Sequence, residues 1–394
     1  MARRKSRLQR MLDLKPLAYR GLSALTDAVP AAHQFLSFYP EIGPVPDRRI
    51  ATILDERKRH ALAQPAFAPQ LAALAQHDWD VHRDNIIDRD PWSALRQMVL
   101  VGDVLVPGHR LAPVDPETNM QIGAGRRGAL NWFYSRPQGF PRRRLAVAGP
   151  AFVLNPYWNI WHLLVEVLIP LAAAARLRAW GDAELQVLTY ASRPALVDAL
   201  VEGLQRQLKV RMKIVPLGFN DVAEVRSCLI ADNVCWNVER AFSFPEAMRD
   251  MAAAFAAAYG PLPSPFDGKA RRLYITRKGA KLRQIINEQE VLDLMRARGF
   301  AVLQANWNNH PAQLGAFMNA ENVVGVHGAG LTHLLMAPPG TKVIEMFPFD
   351  HRKTSMLHLC AEMGHRHRSF LGGPERLNQA FMVDVGKLAE AIED

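Results

Sequence analysis

The stretch NVVGVHGAGLTHLLMAPPGTKVIEMFP, from Asn322 to Pro348, constrains the fold of this chain more than any other. Asn322 to Val326 is apolar and rich in β-branched side chains, as a buried strand of a parallel sheet requires. His327-Gly328-Ala329-Gly330 interrupts it with glycines that turn the chain tightly and let a backbone or a ligand come close. Leu331 to Met336 reads as a short helix. Pro338-Pro339-Gly340 ends it, because proline has no amide hydrogen to continue the ladder and glycine turns at little cost. Lys342 to Met346 resumes a buried strand. The result is a strand, turn, helix, turn, strand unit of the doubly wound kind. Free amides at the head of the helix suit an anion such as phosphate. His327 stands at the C-terminal end of its strand, the edge at which open α/β sheets bind ligands. Glycines in such a turn also serve close packing, and the sequence leaves both uses open for Gly328 and Gly330.

The alternation continues over most of the chain. Met98 to Pro107 and Leu145 to Val153 read as strands. Asn155-Pro156 suits an N-cap and first helical position for a helix carrying YWNIWHLLVEVLIPL. Strands at Leu185 to Tyr190, Lys213 to Leu217 and Ser227 to Asp232 and helices at Pro194 to Leu208 and Pro245 to Tyr259 complete a first Rossmann-like set. The stretch GPLPSPFDG is the best linker in the sequence. After it come a strand at Arg272 to Thr276 and a helix from Asn287 to Arg298 opened by an Asn287–Glu290 capping box. Phe300 to Leu303 is the next strand, and Pro311 to Asn319 the next helix. A length of 394 residues accommodates two such domains, each with its own core. The expected organisation is a helical or irregular basic region at 1–90, a Rossmann-like acceptor domain at 91–259, a linker at 260–268 and a Rossmann-like donor domain at 269–394. The two domains are expected to face one another across a cleft.

A net charge of +10 calls for an anionic partner, which charge alone does not name. The opening MARRKSRLQR is strongly basic and lacks the apolar core of a signal peptide, so it reads as a solvated terminus or a contact with an anionic membrane surface. No apolar run of about eighteen residues is present for a transmembrane helix. Cys228, Cys235 and Cys360 form no CxxC pair and read as reduced thiols of a cytoplasmic protein. The basic residues are dispersed, without the aromatic interleaving of a nucleic-acid platform, so no nucleic acid is expected as partner. A nucleic-acid or anionic-surface binding module is the non-enzymatic alternative. A Rossmann-type dehydrogenase is the other enzymatic one, and it is disfavoured because no GxGxxG follows the first strand of either domain.

Two further clusters carry chemistry. His162 and Glu166 lie four apart and so share one face of an otherwise greasy helix, where an imidazole and a carboxylate suit a general base and its partner. Trp158 and Trp161 on the same helix read as core. In LYITRKGAKLRQIINEQE, Arg277, Lys278, Lys281 and Arg283 follow directly on a strand end, so they face the same sheet edge as His327 and can hold a diphosphate. The DxD patterns at Asp78–Asp80 and Asp88–Asp90, which would suit a metal-dependent transferase, follow no convincing buried strand.

In this order and spacing, the VHGAGLTHLLMAPPGTKVIEMFP, LYITRKGAKLRQIINEQE and YWNIWHLLVEVL stretches resemble glycosyltransferase family 61, from about Gly125 to Pro348. The most specific motifs are HGAGLT and the R-x-I-x-N-E of Arg283, Ile285, Asn287 and Glu288. The resemblance implies a GT-B fold, inversion at the anomeric carbon, a nucleotide-sugar donor favoured as UDP-linked, and no cofactor or required metal. It also implies roles. Glu166 with His162 would be the catalytic base. Arg277, Lys281 and Arg283, with His327, Gly328, Ala329, Gly330, Leu331 and Thr332, would hold the donor, and Glu345 would reach its ribose hydroxyls. His333 replaces an Asn common among relatives. The expected partner is a glycan or lipid-linked glycan acceptor, and the expected setting is synthesis of surface or capsular polysaccharide in the cytoplasm, at the periphery of the inner membrane.

Overall fold

The computed structural model describes residues 50–54, 95–108, 111–114, 116, 143–155, 159–218, 221–233, 245–260, 262–266, 270–306, 309–349 and 355–393. The basic N-terminus, both DxD patterns, Pro156, Trp158 and Cys235 lie outside the described residues.

The first sheet orders its strands β1-β2-β6-β3-β4-β5. They are β1 (Ile50–Leu54), β2 (Leu95–Pro107), β3 (Arg143–Val153), β4 (Leu185–Tyr190), β5 (Met212–Leu217) and β6 (Asp221–Asn233). β6, β3, β4 and β5 pair in parallel, whereas β2 runs antiparallel to both β1 and β6. This sheet is mixed, with a parallel part of four strands, as in a Rossmann-like set, and two antiparallel strands added at one side. β6 is also longer than the short strand expected at Ser227 to Asp232. Its first half hides in the sequence because Glu224 and Arg226 break the apolar run, although Ala223 and Val225, which alternate with them, are buried, as in a strand with one wet face.

The second sheet is wholly parallel and orders its strands β11-β10-β9-β7-β8. They are β7 (Arg272–Thr276), β8 (Ala301–Gln304), β9 (Asn322–Val326), β10 (Lys342–Phe347) and β11 (Arg366–Leu371). The chain enters at β7, steps outward to β8, then crosses back to the other side of β7 for β9. Strand order therefore reverses between β7 and β9, and in such sheets the crevice that binds ligands opens at the C-terminal ends of those two strands.

The helices are α1 (Ile160–Leu163), α2 (Ile169–Arg176), α3 (Ala195–Leu208), α4 (Pro245–Tyr259), α5 (Glu288–Ala297), α6 (His310–Phe317), α7 (Ser355–Met363) and α8 (Val385–Glu393). One contiguous apolar core runs from Trp161 and Leu164 through Leu200 and Met251 to Ile275, Val323, Leu331 and Leu359, and so joins the two sheets through α1 to α4. A second cluster, including Tyr274, Val291, Val324, Ile344 and Phe381, fills the opposite face of the parallel sheet. α3 and α4 meet at Gly203, where a Cβ would lie 2.1 Å from the Ala254 carbonyl oxygen. Arg176 on α2 grips Asp250 on α4 through two hydrogen bonds of 2.6 and 2.8 Å.

Several local expectations are corrected. The first helix is capped by Asn159, not Asn155: the Asn159 side chain accepts from the amides of Trp161 (3.0 Å) and His162 (3.4 Å). Asn287 and Glu290 meet side chain to side chain, Nδ2 donating to Oε2 at 3.1 Å, but Asn287 does not cap the helix backbone: its amide accepts the Val383 N–H at 3.0 Å and donates to the Val383 carbonyl at 2.9 Å. The turn after His327 forms a 3₁₀ segment, Ala329–Met336, in place of an α-helix.

Candidate active site

Sheet periodicity assembles the site. Ile275 pairs with Gly325, and Gly325 pairs with Glu345. Because alternate residues share a face, Arg277, His327, Glu345 and Phe347 all leave the parallel sheet on one side, at its C-terminal edge. Arg277 follows β7 and His327 follows β9, so both stand at the point where strand order reverses.

The guanidinium groups converge on Gly328. A Cβ there would lie 2.2 Å from Arg277 Nη1 and 3.9 Å from Arg283 Nη2. The φ of 163° is ordinary extended backbone, so glycine is required here by space, not by conformation. Burial and the neighbouring Arg283 charge push Arg277 down to about 10, and burial also lowers Arg283. Two like charges pressed together and partly stripped of water form a site whose electrostatics favour an anion. Arg277 donates from Nη2 to the Leu282 carbonyl at 2.7 Å. Its Nε is buried with no hydrogen-bond partner among the described residues.

Behind this pair stands Glu288, which sequence reasoning placed in the motif without a role. Its Oε1 accepts from the Arg277 amide at 3.1 Å and from the Thr276 hydroxyl, and thereby fixes the end of β7. Arg283 adopts a left-handed φ of 57°, and its amide donates to the Asn378 carbonyl at 2.9 Å. The anchoring segment around Asn378 lies almost a hundred residues downstream, which is why sequence spacing could not reveal it. Lys281 is exposed on the turn between the two arginines.

The loop after His327 divides in two. Gly330 is a packing glycine: its Cβ would fall 3.0 Å from Ala305 Cβ and 3.4 Å from Ile275 Cγ2. Leu331 and Thr332, assigned to the donor loop from sequence, are fully buried among core residues, so their side chains do not line the crevice. Ala329 is partly buried at the head of the segment. His333 is also inside, holding the Gly330 carbonyl with Nδ1 at 2.9 Å and facing His310 with Nε2 at 3.3 Å. Burial holds both imidazoles down to about 4.

Glu345 is corrected as well. It is fully buried in the middle of β10, with Oε1 2.6 Å from His327 Nδ1 and Oε2 2.8 Å from His367 Nε2. Burial alone would raise its pKa, but the two imidazole partners outweigh that and leave it lowered. With both oxygens occupied it orients His327 and is not placed to meet a ribose. His327 also stacks on Phe347, with centroids 5.3 Å apart.

His162 and Glu166 do meet: His162 Nδ1 lies 2.5 Å from Glu166 Oε1, and the two side chains are 17% and 9% exposed. The helix that carries them is not regular. Leu164–Leu168 forms a π turn, in which the Ile169 amide reaches back five residues to the Leu164 carbonyl. Pro170 explains the widening, since it has no amide hydrogen to give the Glu166 carbonyl four residues earlier and its ring crowds that carbonyl. Such π turns recur at functional sites. α1 packs against the 3₁₀ segment Ala329–Met336, which brings the His162–Glu166 element beside the loop that carries Gly328.

A contiguous match then spans most of these elements. Residues 160–344 fit the Glycosyltransferase 61 family model. The Glycosyltransferase 61 match starts at the head of α1 and ends in β10, taking in His162, Glu166, Arg277, Arg283, His327 and Gly328. Glu345 is the next residue, and His367 lies beyond. The chain is 35% identical over 86 residues to the EGF domain-specific O-linked N-acetylglucosamine transferase of Drosophila melanogaster, covering 21% of this chain and 16% of that protein. It is 49% identical over 45 residues to the beta-1,2-xylosyltransferase RCN11 of Oryza sativa subsp. japonica, or 11% of this chain and 8% of the relative. It is 30% identical over 115 residues to the alpha-1,3-arabinosyltransferase XAT2 of the same plant, or 28% and 18%. These relatives are all named as glycosyltransferases, and the chain spans less than a fifth of the length of each.

Proposed function

We propose that this chain is a glycosyltransferase that moves a sugar, with inversion, from a nucleotide-sugar donor to a glycan or lipid-linked glycan acceptor. One observation carries the reading: two half-buried guanidinium groups press on Gly328 at the switch point of a parallel sheet, beside the helix that holds His162 and Glu166. A diphosphate matches the first feature and a hydroxyl acceptor the second. In this reading the donor domain is 269–394, the acceptor domain is 91–259, and the two form a GT-B pair.

The chemistry follows from the charges. Glu166, oriented by His162, takes the proton of the acceptor hydroxyl as its oxygen attacks the anomeric carbon from the face opposite the leaving group. The bond from that carbon to the diphosphate oxygen breaks, and its electron pair leaves with the nucleoside diphosphate. Arg277, Arg283 and His327 stabilise the negative charge that develops there, the electrostatic task that a divalent ion performs in other transferases. The donor we favour is UDP-linked, and the role we favour is surface or capsular polysaccharide synthesis at the cytoplasmic face of a membrane.

UDP is expected to raise Tm by several degrees in the presence of excess EDTA. A panel of UDP, GDP, CDP and ADP that leaves Tm unmoved, with or without a divalent ion, refutes a nucleotide-sugar donor. Slow hydrolysis of one nucleotide sugar, read by mass spectrometry, would identify the donor without knowledge of the acceptor.

A further inference from the structure

We propose that His367 is a positioning residue for the anion site, acting on His327 through Glu345. The inference rests on the diphosphate reading of the crevice for its purpose, and on geometry alone for its existence.

Strand register creates the chain of contacts. β10 and β11 pair with Glu345 opposite Ser369, so His367, two residues earlier, shares the face of Glu345 and lies diagonally beside it. His367 Nε2 meets Glu345 Oε2 at 2.8 Å, His327 Nδ1 meets Oε1 at 2.6 Å, and the carboxylate between them is fully buried. The His367 side chain is 2% exposed, so nothing outside the protein competes for this contact.

An ionised carboxylate removed from water is tolerated only where both oxygens find donors. His327 supplies one donor. Without His367 the second oxygen would be orphaned in the core, and Glu345 would take up a proton or swing away. In either case His327 would lose the partner that holds its proton on Nδ1 and turns Nε2 toward the crevice. His367 therefore sets the orientation of an imidazole it does not touch. Among the described residues, Arg283 at the mouth and Cys360 on α7 also bear on this carboxylate, and Glu375 faces Arg283 in turn.

The sheet geometry also says which substitutions discriminate. Glutamine at 367 keeps an N–H donor at nearly the same reach, whereas leucine removes it at similar volume. In wild-type protein, nitrogen-15 spectra of the histidine rings are expected to show His327 with its proton on Nδ1, shifted downfield by the carboxylate. His367→Leu should lose that signal and weaken UDP binding by about tenfold, the size of one charge-assisted hydrogen bond. His367→Gln should restore both to near wild type, a rescue that a purely space-filling role would not produce. The relay is overturned if wild-type His327 carries its proton on Nε2, a result that needs no variant to fold. It is equally overturned if His367→Leu leaves the His327 signal and UDP affinity unchanged. Absence of binding of UDP, GDP, CDP and ADP alike to wild-type protein would instead overturn the diphosphate reading, while the ring spectra still decide the relay.

Discussion

Gly328 and Arg277 occupy adjoining space that one more carbon would fill, since a Cβ on Gly328 would lie 2.2 Å from Arg277 Nη1. The backbone at Gly328 is extended and open to alanine, so the cost of Gly328→Ala falls on the guanidinium and not on the fold. UDP affinity is expected to drop by about tenfold or more with Tm nearly unchanged. Gly330→Ala should do the reverse: its Cβ would crowd Ala305 at 3.0 Å. A loss of about 1 kcal/mol in denaturant unfolding is expected there, with UDP affinity kept. Calorimetry and unfolding curves on both variants check the division.

Glu166→Gln should abolish sugar transfer and leave donor binding intact, because the amide preserves the shape of the pair with His162 but takes no proton. An active Glu166→Gln enzyme, in an assay of donor turnover with any competent acceptor, removes Glu166 as base.

The buried pair His310 and His333 predicts acid lability. Each is held down to about 4, below the usual imidazole value of 6.5. Above pH 6.5 both are neutral whether the chain is folded or not, and their contribution is intact. As pH falls from 6.5 toward 4 the unfolded chain takes up protons that the native one refuses, so stability declines. His365, also lowered by burial, adds to the trend. His333→Asn, which keeps a donor for the Gly330 carbonyl, should flatten the fall of Tm across this window. An unchanged slope would contradict the assignment.

Glu362 acts at the other end of the scale. Burial, with Glu246 close by on α4, pushes it up to about 8, although Arg249 works against this. Between pH 4.5 and 8 the unfolded chain releases a proton that the native chain keeps, so stability falls as pH rises through that range. Glu362→Gln should therefore raise stability at pH 8 by on the order of 2 kcal/mol and have little effect near pH 4.5. Chemical denaturation at the two pH values tests it.

Much of the parallel half was legible in the sequence because its strands are short, apolar and bounded by glycine or proline. β7, β9 and α4 lie where hydrophobic pattern puts them, and so does the contact of His162 with Glu166, which needs only helical spacing. β2 was legible as a strand but its antiparallel direction was not, β1 went unread, and the first half of β6 was hidden because a strand with one wet face carries charges that imitate a loop. The cap at Asn159 and the π turn at Pro170 were hidden for a different reason: several residues were chemically competent, and packing chose among them.

Local sequence dictates which residue types stand at the strand ends: two arginines after β7, and a histidine and a glycine after β9. Their chemistry and spacing depend on neighbours along the chain. The folded arrangement alone fixes which of them share a crevice, that Gly328 yields its side-chain space to Arg277 while Gly330 yields its own to Ala305, and that Glu345 lies between His327 and His367. Those relationships arise from strand order and register, which bring together residues separated by tens of positions through hydrogen bonds that no local pattern encodes.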